Sequence, residues 1–228
     1  HDGSVAVLEA LQTEFAEALT VFYQAENTGT TRSRNLALRS AKGKAILILD
    51  SDAYMNPGAL RGLLEHLKDH ERVGLVAPRL TYPDGRFQLS VDAFPTVLRK
   101  LKRFLALREM ERQASAVGAG TVDYAISACW LLKADTIAAT GLLDERIFYS
   151  PEDVDYCIRI WRAGWQVHYL PSVSVVHDAQ EISRPKGFGI NKFTIRHAKG
   201  LAYLFFKHRY ALSLRGLYRR IGRDPQET

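Results

Sequence analysis

Apolar residues in the first part of the chain recur at helical spacing. Val7, Leu8, Leu11, Phe15 and Leu19 mark one stripe and Ser4 stands at the cap position, so Ser4–Leu19 is predicted as an amphipathic helix. Leu19–Tyr23 then reads as a short strand. Asn27-Thr28-Gly29 is a turn, and Thr30 or Thr31 starts a helix that runs to about Ser40, before Gly43. Ala45–Leu49 is an unbroken apolar run, the pattern of a strand buried on both faces. Asn56-Pro57 pairs a capping residue with a proline in the first turn, opening a helix to about Asp69. Val73–Ala77 is a second buried strand. A turn at Pro83-Asp84-Gly85 precedes Val97–Arg112, a helical pattern of leucines among cations. Val122–Leu132 is strand-like. Pro151 opens a helix that Gly164 ends. Gln166–Leu170 and Val173–Val176 are short strands on either side of Pro171, and from Asn191 the pattern is helical, basic and aromatic.

Helices and strands alternating with short breaks indicate an α/β fold around a mixed, mostly parallel sheet flanked by helices, a Rossmann-like arrangement. No internal repeat is present. The length suits one large domain, or one domain with an appendage.

Charge divides the chain. Residues 184–228 carry +9 and residues 1–183 carry −3. The expected organisation is a core over 1–183 and a basic helical extension over 184–228. Such a tail suits an anionic partner or a solvated helix face. Lysines and arginines interleaved with Leu98, Leu101 and Phe104, and again with Leu204, Phe205 and Phe206, suit a peripheral contact with an anionic membrane; the competing expectation is that the tail's apolar side covers the sheet. No nucleic-acid-binding motif is present, so nucleic acid is not an expected partner. No apolar run is long enough to span a bilayer. Two cysteines, Cys129 and Cys157, in apolar surroundings suit buried thiols in a reducing cytoplasm.

Three groups of residues offer chemistry. Asp50-Ser51-Asp52 follows the Ala45–Leu49 strand, and ligands of open α/β sheets gather beyond strand ends. Two carboxylates there can hold a hard cation such as Mg²⁺ or Mn²⁺ while leaving positions for phosphate, or can simply be turn residues. Glu152-Asp153-Val154-Asp155 opens a helix whose Val154, Ile158 and Trp161 form an apolar stripe. Acids in a first turn complement the helix dipole, and Asp155 can pair with Arg159; a carboxylate there can equally act as a general base. His177 ends an apolar strand and is either structural or a further metal ligand.

Taken in order, the motifs resemble family 2 glycosyltransferases, the inverting group with a GT-A-type fold, and more narrowly the rhamnosyltransferase-like members. The matching text is Asn27-Thr-Gly29, Arg34-Asn35-Leu36-Ala37, Ile46 to Asp52, Pro57-Gly58-Ala59-Leu60, Ala128-Cys129, Gly141 to Phe148, Glu152 to Asp155, Arg162-Ala-Gly164-Trp165 and Val175-Val176-His177. The resemblance implies Asp50, Asp52 and His177 as metal residues, and Asn27, Arg34 and Asp50 on the donor side. It implies Asp153 as catalytic base, with Glu152 shaping the acceptor site. It also implies a nucleotide-diphosphate sugar donor, with thymidine-diphosphate rhamnose or uridine-diphosphate hexoses as candidates, and a glycan or lipid-linked acceptor in cell-surface polysaccharide synthesis. His1-Asp2-Gly3-Ser4 resembles the end of a strand signature that in the family follows an earlier strand–helix unit, so the resemblance implies a missing amino-terminal edge. Ser127 departs from the family's glycine before Ala-Cys and narrows the acceptor region. Two other readings remain open on the residues alone. A nucleotidyltransferase would use Asp50 and Asp52 but would want a glycine-rich phosphate loop with lysine, and none is evident. The basic tail would serve a non-catalytic anion-binding module.

Overall fold

The computed structural model describes residues 3–100, 118–179 and 192–223. Its helices are α1 (Ser4–Glu14), α2 (Thr30–Ser40), α3 (Pro57–Asp69), α4 (Ala134–Thr140), α5 (Glu152–Arg162), α6 (Lys192–His208) and α7 (Arg215–Ile221). Its strands are β1 (Ala45–Leu49), β2 (Ala53–Tyr54), β3 (Val73–Thr81), β4 (Phe87–Gln88), β5 (Val91–Asp92), β6 (Gly120–Thr121), β7 (Tyr124–Ala125), β8 (Cys129–Lys133) and β9 (Gln166–His177).

The main sheet has the order β1-β8-β3-β9-β2, with β4 added to β3 and β6 to β9. It is mixed, as expected, but its directions need a correction. β1, β3 and β9 run the same way, yet β8 is inserted antiparallel between β1 and β3. Only β3 and β9 pair in parallel among the described residues. A helix-linked α/β pattern predicts strand direction; it does not predict which later strand slips between two parallel neighbours.

Successive side chains along a strand point to opposite faces, and the two cores follow that rule. Leu75, Ala77, Trp130 and Leu132 face one layer, where Val154, Ile158, Ile160 and Trp161 of α5 cover them. Val76, Leu80, Cys129 and Leu131 face the other, covered by Ala59, Leu63 and Leu67 of α3. Helix α3 begins as predicted: Asn56 Oδ1 accepts from Ala59 N at 2.7 Å ahead of Pro57, a cap worth about 1 kcal/mol. The basic extension joins the first layer, since Leu204 of α6 and Leu217, Tyr218 and Ile221 of α7 belong to that core. Both cysteines are buried free thiols.

Several expectations are corrected. Helix α1 stops at Glu14 and its cap is Gly3, not Ser4. Val7 and Phe15 of its predicted stripe are exposed. Leu19–Tyr23 forms no strand, and Phe22 and Tyr23 lie at the surface. β1 is not buried on both faces: among the described residues it ends the strand order and pairs only with β8, and it leaves Leu49 exposed. Val122–Leu132 breaks into β7 and β8 around a turn at Ser127-Ala128. The two strands beside Pro171 are one, β9. Pro171 has no N–H to give the ladder, and pairing with β3 skips there from Leu170 to Ser174. Of the expected helix over Val97–Arg112, residues 97–100 are helical and 101–112 lie outside the described residues.

Candidate active site

Sheet register builds the first half of the site. β2 pairs antiparallel with the end of β9, setting Ala53 opposite His177 and Tyr54 opposite Val176. Asp178 N donates to Asp52 O at 2.8 Å and closes the ladder. Asp52 is thereby held beside His177, with Nε2 at 3.4 Å from Asp52 Oδ1. Asp50 leaves the end of β1, its N–H bonded to Ala128 O at 2.9 Å. Asp50, Asp52 and His177 each present a ligand atom, all within 4.8 Å of one another.

His177 is oriented by a residue that the sequence reading missed. Its Nδ1–H donates to Gln88 Oε1 at 2.9 Å, and both side chains are buried. With Nδ1 holding the proton, Nε2 turns its lone pair toward Asp52. Partners of this kind fix the tautomer of metal-binding histidines. Two carboxylates and one imidazole are a donor set that fits Mg²⁺ or Mn²⁺ with coordination positions left for a diphosphate. Gln88 carried no sequence signal, because its role depends on β4 pairing with β3.

The second half lies at the start of α5. Glu152 is buried at 6% exposure, and Asp153 beside it is half-buried. Burial, and then the charge of Asp153, raise the Glu152 carboxyl above the ordinary range, against the pull of Arg34 and Ser127. Ser127 Oγ donates to Glu152 Oε1 at 2.9 Å and accepts from Arg34 Nη1 at 2.6 Å. The serine that the family pattern marks as a departure thus has a task here. Arg34 joins the two halves: Nη1 reaches Glu152 Oε1 at 3.2 Å and Nη2 bonds Asp50 Oδ1. Asp155, two residues on from Asp153, points away from this site. It is held by Arg159, as the i, i+4 spacing predicts, and by Lys207 and His208.

Helix α2 pins the segment that leads into α5. Asn35 Nδ2 donates to Leu143 O, and Leu143 N donates to Asn35 Oδ1, both at 3.0 Å. Thr31 Oγ1 donates to Ile147 O at 2.8 Å, and Thr30 N to Phe148 O at 2.9 Å. Gly29 sits at φ +89°, and a Cβ there would lie 2.3 Å from Phe148 O, so both conformation and close approach require glycine. Asn27 Oδ1 accepts from Gly29 N at 3.0 Å, closing this turn rather than joining the carboxylates. Of the sequence candidates, Arg34, Asp50 and Glu152 form one network and Asp52 and His177 adjoin it. Asp153 flanks it from the same helical turn.

Known proteins share this chain's family and fold. The family model described as glycosyl transferase family 2 matches residues 1–135. The chain is 31% identical over 180 residues to a pre-mycofactocin glycosyltransferase of Mycobacterium tuberculosis, covering 78% of this chain and 36% of that protein. It is 26% identical over 144 residues to an N-acetylglucosaminyl-diphospho-decaprenol L-rhamnosyltransferase of the same organism, covering 58% of this chain and 46% of that one. The chain therefore spans less than half the length of either relative. Its fold is shared with a mannosyltransferase, PcManGT from Pyrobaculum calidifontis, solved with GDP-Man and Mn²⁺: TM-score 0.58, 20% identity, 97% of this chain and 56% of that one. With its GT-A-type mixed sheet flanked by helices and more than half its length matched by the family model, the chain belongs to glycosyl transferase family 2.

Proposed function

We propose that this chain carries the transfer of a sugar from a nucleotide-diphosphate sugar to an acceptor hydroxyl, with inversion at the anomeric carbon. The observation that carries this reading is the meeting of the Asp50, Asp52 and His177 ligand atoms beside the first turn of α5, with Arg34 bonded to both Asp50 and Glu152. Asp50, Asp52 and His177 would hold Mg²⁺ or Mn²⁺, which when bound would neutralise charge on the departing diphosphate. Arg34 and Asp50 serve the donor side, and Asn27 supports it through the turn at Gly29. Asp153 takes the proton of the attacking hydroxyl, while Glu152, buried and held by Ser127 and Arg34, shapes the acceptor side. One displacement from the face opposite the leaving group inverts the centre, so no covalent sugar–protein intermediate is needed.

The donor proposed first is thymidine-diphosphate rhamnose, in keeping with the rhamnosyltransferase relative. The proposed acceptor is a glycan or lipid-linked saccharide met at the cytoplasmic face of the cell membrane during cell-surface polysaccharide synthesis. An apolar surface supports a peripheral contact there. Val97 N bonds Ala211 O at 3.0 Å, bringing exposed Val97 and Leu98 beside exposed Leu212, with Arg209 and Arg215 close in sequence. No helix among the described residues is long and apolar enough to cross a membrane.

The test is Asp153→Asn in the protein as expressed by its full gene. Sugar transfer should fall by ~10²–10⁴, while Mn²⁺-dependent donor binding, measured by calorimetry, stays near the parent value. Unchanged turnover would remove Asp153 from the role of base.

A further inference from the structure

At the opposite end of β9 from His177, three histidines meet. His66 lies in the last turn of α3, His70 caps the end of that helix four residues on, and His168 lies on β9. His66 Nε2 is 3.0 Å from His168 Nδ1. The His70 ring stacks on that of His66 at 4.1 Å between centroids and lies 5.7 Å from that of His168. We propose that His66, His70 and His168 form a second metal site, one that takes a borderline transition cation such as Zn²⁺, Co²⁺ or Ni²⁺.

The hydrogen bonds around the cluster favour this. His168 Nε2–H donates to Gln166 Oε1 at 3.2 Å, which leaves Nδ1 as its lone-pair nitrogen, facing His66. His70 Nδ1–H donates to His66 O at 2.8 Å, leaving Nε2 as its lone-pair nitrogen. His168 is thus anchored through the nitrogen that would not bind metal, the arrangement that orients histidine ligands elsewhere. His66 Nε2–H bridges to His168 Nδ1. A cation taking the place of that proton needs only the other neutral tautomer of His66, with the proton on Nδ1. His70 is exposed, and by exchanging its bond to His66 O for water it can turn about its own side-chain bonds to bring Nε2 against the pair. Burial and neighbouring histidines hold His168 down to about 4, and burial and His70 lower His66, so these rings are neutral and able to ligate at neutral pH. Asp69 adds a negative charge near His66, and Lys133 Nζ is occupied by the carbonyl oxygens of His70 and Glu71. Imidazole nitrogens suit Zn²⁺, Co²⁺ and Ni²⁺, whereas the carboxylates at the other end suit Mg²⁺ and Mn²⁺. The two ends of the sheet would therefore sort cations by ligand softness.

The inference rests on no part of the proposed activity, and the test keeps the two apart. The Asp52→Ala variant, stripped by chelator and supplied with excess Mg²⁺, is titrated with Zn²⁺ by calorimetry and with Co²⁺ by visible absorption. One equivalent of each should bind, with the Co²⁺ bands of nitrogen ligation. Adding His66→Ala or the exposed His70→Ala should weaken binding by at least about tenfold, with unchanged far-ultraviolet circular dichroism. Absence of Zn²⁺ binding in Asp52→Ala, or binding that survives His66→Ala undiminished, would overturn the site.

Discussion

Asp52 and Asp155 are both acids set at the edge of a core, yet their surroundings differ. Asp155 is almost fully buried and meets His208 Nε2 at 2.8 Å, Lys207 Nζ at 2.6 Å and Arg159 Nε at 3.1 Å. Asp123 is treated the same way: Arg223 bonds its Oδ1, Tyr218 OH donates to Oδ2 at 2.5 Å, and Phe94 N donates to Oδ2 at 2.8 Å. These acids join α5 and the β5–β7 region to α6 and α7. Asp52 instead keeps 40% of its side chain exposed, and among the described residues it pairs with a histidine at 3.4 Å. Where the protein supplies its own cations, a carboxylate is structural. Where it supplies an aimed imidazole and leaves the carboxylate open, there is room for the cation proposed above.

The comparison can be broken at both ends. Asp123→Asn should have the largest effect, about 3–5 kcal/mol of lost stability, because it leaves Arg223 as an uncompensated buried charge. Urea denaturation would read this loss, and a midpoint like the parent's would refute the structural role. Asp52→Ala should do the reverse: turnover down on the order of 10²–10³ with the denaturation midpoint nearly unchanged. A large loss of stability there would mean that Asp52 belongs with Asp155.

Gln88→Leu sharpens the difference. It keeps the strand but frees the His177 tautomer, and Mn²⁺ affinity should fall ~10–100-fold. Gln88→Glu, which still accepts from Nδ1, should recover most of that loss. An Mn²⁺ titration showing equal affinity in parent and Gln88→Leu would remove Gln88 from the metal site.

The smallest effect concerns pH. Asp144 is partly buried, which favours its neutral form, but hydrogen bonds from Arg146, Lys207 and Tyr203 outweigh this and hold the carboxyl well below its usual range. A depressed folded-state pKa contributes stability above the unfolded value, near 3.8, that is lost as pH falls below it. Stability measured from pH 5 down to pH 3 should therefore decline less steeply in Asp144→Asn than in the parent. Equal slopes would count against this linkage. Glu152 works in the opposite sense: its raised carboxyl contributes stability at low pH that is lost as pH rises through the folded value.

Much of the molecule is legible locally. The Asn56-Pro57 start of α3, the stripe of α5, the Asp155–Arg159 pair and the strand leading to Asp50 all arise from neighbours within a few residues. Those signals survive in a sequence because caps and i, i+4 contacts are read over one helical turn. Leu19–Tyr23 and the strand-like segment Val122–Leu132 mislead for the same reason. Apolar content says that a segment suits a strand, not whether another strand lies beside it.

Composition, element order and the ordered motifs were enough to place this chain among the family 2 glycosyltransferases and to single out Asp50, Asp52, Asp153 and His177. Folding decided which of those residues meet. Asp52 and His177 are distant in the chain, and the β2–β9 register makes them neighbours. A slip of one residue would turn either side chain to the other face of the sheet. Gln88, Ser127 and the histidine cluster acquire their roles in the same way, through pairings across the fold that no local pattern encodes.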